Sequence, residues 1–304
     1  MRVAITEGPR FWGEALASAL RGRGDDVVRL SRTPTRPDDR RWDPEAGAID
    51  APGLEDVDAV VNLFGASPYR RWTDSVREEL LTTRITGTLT VVSALDPGGR
   101  CQRLLNRSST AFYGDRGNDE LSFGDPRGTG FLARVVADWE ASARHAPVPT
   151  ALLRTPAVLA PEGGYLALRQ GWLRGRLGPG TQYVPWVHLA DWVAAALLLL
   201  DGAHEGPVNV VAPEAIREAG FVAARARSEG RRPGLPIPRS LLSARFGDEA
   251  ARELWLASTR AVPIVLGQLG FEARYGTLDA ALAAVRSAGA SAGVRAGEWQ
   301  GRGV

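Results

Sequence analysis

Val3-Ala4-Ile5-Thr6-Glu7-Gly8-Pro9-Arg10-Phe11-Trp12-Gly13 is the stretch from which the fold is read. A short apolar run ends in a turn, and a helical pattern follows at once, with Trp12, Leu16 and Leu20 on one face at i, i+4 and i+8. Strand, tight turn and helix form the opening of a dinucleotide-binding βαβ unit. In such a unit the helix N-terminus offers free N–H groups and a positive dipole end to a diphosphate.

A turn of this kind carries glycine at three positions, spaced i, i+3 and i+6. Here those positions are Glu7, Arg10 and Gly13, with Gly8 beside the first. Glycine matters because a side chain blocks the backbone's approach to phosphate oxygens. Gly13, where helix and sheet are expected to pack closely, is kept; the two phosphate-facing glycines are not. A carboxylate at Glu7 within about 4 Å of a phosphate costs roughly 4 kcal/mol at an effective dielectric near 20, or nearly three decades of affinity. Arg10 either offsets that charge by pairing with the phosphate or pairs with Glu7 and plugs the site.

With 304 residues, 44% apolar and 24% charged, the chain can hold one large domain or two modest ones, and disordered or fibrous classes are excluded. The longest apolar run, Val193 to Leu200, is too short to span a membrane. The chain starts directly in a charged strand-and-turn pattern, so no signal peptide is expected. Cys101 is the single cysteine, which excludes an internal disulfide framework and a cysteine-based metal cluster. These readings predict a cytoplasmic protein without membrane association.

The 37 basic residues are all arginine, interleaved with 35 acids for a net charge of +2. The cluster Arg225, Arg227, Arg231 and Arg232 therefore reads as a solvated helix end, and no nucleic-acid partner is expected. Without lysine, a Tyr-x-x-x-Lys dyad, in which an ammonium lowers a tyrosine's pKa for hydride-coupled proton transfer, cannot exist.

After the first helix, Asp26 to Leu30 reads as a second strand closing with Ser31-Arg32. An acid at this strand end would hold a ribose 2′-OH, whereas an arginine suits a 2′-phosphate. Arg32 thus argues for NADP if a dinucleotide binds; the competing reading is one more surface arginine. Residues 33 to 56 are expected to be loop with at most one short strand. Asp58 to Leu63 is a buried strand, Thr73 to Ala94 a helix with Thr73 as N-cap, and Arg103 onward a strand running into Ser108-Ser109. A helix over Phe131 to Arg144 and a strand over Thr150 to Arg154 follow. This alternation predicts an α/β fold with a parallel doubly wound sheet and ligands at its C-terminal strand ends. Beyond residue 160, Tyr183 to Leu189 and Gly206 to Val211 look extended, Asp191 to Leu200 helical, and 215 to 285 mostly helical. From Ser287 the Gly/Ala/Ser-rich composition predicts a disordered tail.

The ordered set Ile5-Thr6…Gly13, Val60-Val61-Asn62-Leu63-Phe64-Gly65, Arg70-Arg71-Trp72-Thr73, Tyr113-Gly114-Asp115-Arg116-Gly117, Leu153-Arg154-Thr155, Pro185-Trp186-Val187-His188 and Pro207-Val208-Asn209 resembles the epimerase-family proteins of the extended short-chain dehydrogenase/reductase superfamily. Trp255-Leu256-Ala257-Ser258 and Gly270-Phe271 look like that group's own C-terminal domain. The resemblance implies a Rossmann-type NAD(P)-binding domain over 1–160 and a smaller, mainly helical substrate domain over 161–286. Residues 183–212 partly return to the first sheet, and 287–304 form the tail.

On the cofactor side the resemblance implicates Gly8, Arg10, Phe11, Trp12 and Gly13 at the first corner, Ser31 and Arg32 at the second strand end, and Asn62, Phe64 and Gly65 at the third. Arg84 and Thr155 complete that set. Phe64, where the family usually has alanine, is expected to crowd the adenine and ribose side, and Pro156 replaces a glycine near the nicotinamide position.

Ser108 and Ser109 fall where the superfamily keeps its catalytic serine, and Tyr113 follows in the same loop; each has a structural reading as well. The helix that should carry the tyrosine–lysine pair reads Phe131-Leu132-Ala133-Arg134-Val135-Val136, so neither member is present. His188 sits on a segment the superfamily brings near substrate; the competing role is an imidazole held by Asp191 or backbone. No histidine spacing suggests a metal site, and no Gly-x-Ser-x-Gly elbow suggests serine hydrolysis.

The reading is an atypical epimerase- or oxidoreductase-like enzyme acting on a small metabolite, with an altered diphosphate loop and NADP as the candidate cofactor. A cofactor-independent isomerase, lyase or cyclase and a non-catalytic ligand-binding regulator stand beside it. The oligomeric state is left open, a homodimer included.

Overall fold

The computed structural model describes residues 1–299, with side chains through residue 289. Twelve strands are described: β1 (Arg2–Thr6), β2 (Asp26–Ser31), β3 (Asp39–Asp43), β4 (Ala48–Ile49), β5 (Ala59–Asn62), β6 (Arg103–Ser109), β7 (Glu120–Leu121), β8 (Thr150–Thr155), β9 (Ala157–Leu159), β10 (Trp186–His188), β11 (Gly206–Asn209) and β12 (Arg260–Ala261). Eight of them make one sheet in the order β11-β8-β6-β5-β1-β2-β3-β4, parallel throughout except for the β3–β4 pair. Two small pairs, β9–β10 and β7–β12, lie outside it. Because β1 pairs with β2 on one side and β5 on the other, the chain direction of travel reverses there. A crevice opens at the C-terminal end of that switch point.

Alternation along β1 sorts the layers. Val3 and Ile5 pack with Trp12, Leu16 and Leu20 of α1 (Arg10–Gly22), while Ala4 faces Val91 and Val92 of α2 (Asp74–Ser93). The face of α1 read from the sequence is therefore its buried face. Thr73 caps α2 by accepting from the Val76 amide at 3.3 Å. α3 (Phe131–Ala143) packs beside α2, α4 (Gly164–Leu168) follows β9, and α5 (Leu189–Asp201) packs beside α1. A second core collects Leu159, Tyr165, Trp186, Phe221, Trp255 and Leu282 around the later helices.

Two sequence expectations change. Residues 33 to 56 hold β3 and β4, which extend the sheet, because Trp42 on β3 is 1% exposed and gives that polar strand an anchor. The last helix, Leu278–Trp299, runs past Ser287 where a tail is expected; residues 300–304 of that stretch lie outside the described residues. Among the described residues no helix is long and apolar enough to cross a membrane.

Candidate functional site

β1 ends in a polar stitch. The Thr6 hydroxyl accepts from the amides of Leu63 (2.8 Å) and Phe64 (3.1 Å) and donates to Asn62 Oδ1 (2.9 Å). Asn62 is fully buried and donates to Asn106 Oδ1 at 2.7 Å, so it braces three strand ends rather than facing a ligand. The turn that follows closes tightly on β5: a Cβ on Gly8 would lie 2.6 Å from Leu63 Cβ. Gly8, rather than Gly13, is the close-packing glycine, since nothing lies within 4 Å of a Cβ built on Gly13. α1 then starts after Pro9 with no side-chain cap and no acid in its first turn, leaving its dipole end open.

Glu7 is drawn away from that helix end. Its carboxylate accepts from the Ser31 hydroxyl (2.9 Å), from the Arg32 amide and from Arg32 Nε (2.7 Å). Arg10 is exposed and takes no part, so of the two roles open to it the pairing with Glu7 is not seen, and Glu7 pairs with Arg32 instead. Ser31 is spent on Glu7. Phe64 lines the cavity while its ring packs edge-on against Trp42 with centroids 4.9 Å apart, in a notch where a Cβ on Gly87 would overlap it. It fills α2's side of the sheet, and Arg32 rests over it at 5.4 Å.

A cavity of about 780 Å³ opens from this corner towards the later helices. Gly8, Phe11, Trp12, Arg32, Phe64 and Gly65 line one end; Tyr165, Tyr183, Glu253 and Trp255 line the other. Thr155 and Pro156 lie on its wall, with the Thr155 hydroxyl accepting from Trp192 Nε1 at 3.0 Å. Two more arginines, Arg84 and Arg107, line it, and among the described residues their hydrogen bonds go to carbonyls and not to carboxylates. Arg84 donates to the Leu80 (2.8 Å) and Ala66 (3.0 Å) carbonyls, and Arg107 to the Leu63 carbonyl (3.1 Å). Burial, with Arg107's charge adding to it, pushes Arg84 down to about 9, and burial pushes Arg107 down to about 10.

The catalytic candidates separate. β6 pairs with β8 so that Ser108 lies opposite Arg154 and Ser109 opposite Thr155. Ser108 is fully buried and donates to Glu140 Oε1 at 2.6 Å. Glu140, itself fully buried, takes both forks of Arg154 at 2.8 and 2.9 Å. Arg154 in turn donates to the Tyr113 hydroxyl (2.9 Å), which lies 2.6 Å from Asn209 Oδ1. Ser108 and Tyr113 thus belong to a buried network tying β6, β8, β11 and α3 together. Ser108 and Ser109 both line the cavity, but only Ser109, half-buried and accepting from the Ala111 amide at 3.2 Å, keeps its own proton uncommitted. On α3, Leu132 and Val136 are the i, i+4 pair that faces the cavity.

His188 lies away from the cavity. It caps α5, with Nδ1 accepting from the Ala190 amide at 3.1 Å and its ring against Tyr275. Asp191 is used elsewhere, accepting from the Arg274 and Tyr275 amides. Burial holds the imidazole below its ordinary 6.5. The unfolded chain therefore takes up the proton first, so this contribution to stability is full above 6.5 and is lost as pH falls through and below that value. His188→Asn, which caps without titrating, is expected to flatten the fall in unfolding free energy between about pH 7 and 5, read from urea denaturation at each pH; an unchanged fall rejects this role for the imidazole.

Sequence reading missed Arg107, Trp139 and Glu140, the first two on the cavity wall and the third in the buried network. A signal exists for Arg107 and Glu140. Arg107 follows Leu104-Leu105-Asn106 in a strand meant to be buried, and Glu140 continues the Leu132–Val136 face of α3. A charge on a buried face needs a partner or a purpose.

The model of the NAD dependent epimerase/dehydratase family matches residues 3–212, and a domain of unknown function, DUF1731, matches residues 237–285. The chain is similar to the epimerase family protein Mb2239 of Mycobacterium bovis, 37% identical over 92% of this chain and 96% of that one. It is also similar to the human epimerase family protein SDR39U1, 31% identical over 93% and 98% of the two chains. A crystal structure of human SDR39U1 (isoform 2) with NADPH superposes at a TM-score of 0.85, with 30% identity over 94% of this chain and 99% of that one. The nucleoside-diphosphate sugar epimerase from Corynebacterium glutamicum superposes at 0.74, with 29% identity over 93% of this chain and 57% of that one.

Proposed function

This chain belongs to the NAD dependent epimerase/dehydratase family, and on that premise we propose that it binds NADPH at the β1–α1 corner and acts on a small metabolite in the adjoining cavity as an atypical reductase or epimerase. The observation that carries this reading is the corner itself: an uncapped helix N-terminus opening into a cavity of about 780 Å³, with Arg32 at the end of the neighbouring strand. The N–H groups of α1 would take the diphosphate, and Arg32, with a side chain 57% exposed, would take the 2′-phosphate. The human relative crystallised with NADPH supports the same choice of dinucleotide. Residues 1–160 would hold the cofactor and 161–286 would close the substrate end.

Bound there, the nicotinamide supplies hydride transfer. Ser109 would hydrogen-bond a substrate carbonyl or hydroxyl at the cavity wall. Leu132 and Val136 place carbon where a tyrosine–lysine pair would shuttle the proton, so α3 excludes water without exchanging a proton. That apolar pair favours a second reading, a cofactor-independent isomerase, lyase or cyclase, or a ligand-binding regulator.

Titration with NADPH and NADH, followed by intrinsic tryptophan emission, to which Trp12 at the corner contributes, decides between them. The expected result is a micromolar dissociation constant for NADPH, a weaker one for NADH, and a thermal upshift worth about 2.7 kcal/mol at a hundredfold excess over Kd. A flat response at millimolar NADPH rejects the cofactor and leaves the second reading.

A further inference from the structure

Arg107 and Arg84 bring guanidinium charge to one point in the cavity. Arg107 Nη1 donates to the Leu63 carbonyl, the oxygen that a Cβ on Gly8 would approach to 3.0 Å, so this guanidinium hangs at the turn between β1 and α1. It lies 4.5 Å over the indole of Trp12, in the first turn of α1. Arg84 arrives from α2, with its buried Nε unpartnered, and the two guanidiniums share the Trp139 ring at 5.1 and 5.7 Å. Two like charges side by side, Arg84 buried and Arg107 half-buried, cost stability, and desolvation lowers the pKa of both. Both stay charged at neutral pH. Most of Arg107's donors are uncommitted, and they point into a cavity rather than into a core.

We propose that Arg107, backed by Arg84, grips the diphosphate of the bound dinucleotide, supplying from side chains the donors that the turn gave up when Glu7 and Arg10 took its glycine positions. The inference rests on the NADPH reading above. It explains how a corner carrying Glu7 can receive an anion: the compensating charge comes from β6, beneath the turn, instead of from the turn itself. The diphosphate is favoured over a substrate anion because the guanidinium meets the Gly8–Leu63 contact and Trp12, at the cofactor end of the cavity.

The test uses Arg107→Met and Arg107→Lys with two probes, NADPH and adenosine 2′-monophosphate, which keeps the adenine and 2′-phosphate but lacks the diphosphate. Arg107→Met is expected to weaken NADPH by roughly 30-fold and to change the monophosphate by less than about threefold, with Arg107→Lys in between. The unliganded Arg107→Met protein is expected to melt no lower than the parent, because the side chain it loses is a half-buried charge with no carboxylate partner beside a second guanidinium. If the parent binds NADPH and Arg107→Met binds it equally well, or if Arg107→Met loses both probes alike, the clamp is overturned while the NADPH reading stands. A parent protein that ignores NADPH overturns both.

Discussion

Replacing Glu140 with leucine is expected to lower the unfolding free energy by about 3–5 kcal/mol, the usual result of stranding one member of a buried ion pair. The stranded groups are specific. Arg154, 2% exposed, loses both forks of its carboxylate partner, and Ser108, fully buried, loses its acceptor. Arg154 keeps the Tyr113 hydroxyl, the Phe123 carbonyl and the face of Phe112, 3.6 Å away, none of which neutralises it. Urea denaturation measures the loss directly, and the melting temperature should fall by upward of about 6 °C. Pairing the change with Arg154→Met should return at least half of the deficit, since an apolar pair of similar volume carries no unmet charge. A single-variant loss below about 1 kcal/mol, or no recovery in the double variant, rejects the network as a structural keystone.

This network also explains what could be read from the sequence. Arg154 and Asn209, from motifs that suggested the family, lie in register with Ser108 across β8, β11 and β6, and Tyr113, from another such motif, joins them from the turn after β6; the four hold one another. They specify the fold because a polar cluster sealed from water tolerates few substitutions. Residue type and spacing place Ser108 and Tyr113 near a site, and Ser108 does line the cavity, but the hydroxyl protons of both are donated within the network. Ser109 is on the cavity wall because side chains alternate along β6, a period-2 argument available from the sequence once the strand's buried side is known.

What escaped was long-range. Glu7 was legible as a charge in the wrong place, but its partner was Arg32 on the neighbouring strand rather than Arg10 on its own helix. Register, which puts Thr6 beside Leu30, decides that pairing and is invisible to local spacing. The seat of the Phe64 ring depends on Gly87, in a helix twenty-three residues on, which local spacing does not connect to it.

Arg32→Ala is expected to weaken NADPH binding by at least about tenfold, 1.4 kcal/mol, while leaving NADH within about twofold. The argument turns on Glu7. A guanidinium held by a carboxylate at 2.7 Å must share itself or let go when a 2′-phosphate arrives, and two anions about 5–6 Å apart at one arginine repel by roughly 3 kcal/mol at an effective dielectric near 20. Glu7→Gln keeps an oxygen for the Ser31 hydroxyl and the Arg32 amide and removes the charge, so NADPH should bind more tightly by tenfold or more, and NADH by much less. Added salt should narrow the gap between the parent and the variant, because Arg32 is more than half exposed and its pairings are screened. The opposite pattern is equally readable. If Glu7→Gln leaves NADPH unchanged and weakens NADH, the carboxylate receives ribose hydroxyls, as an acid at this strand end does elsewhere, and Arg32 serves only to hold Glu7 in place.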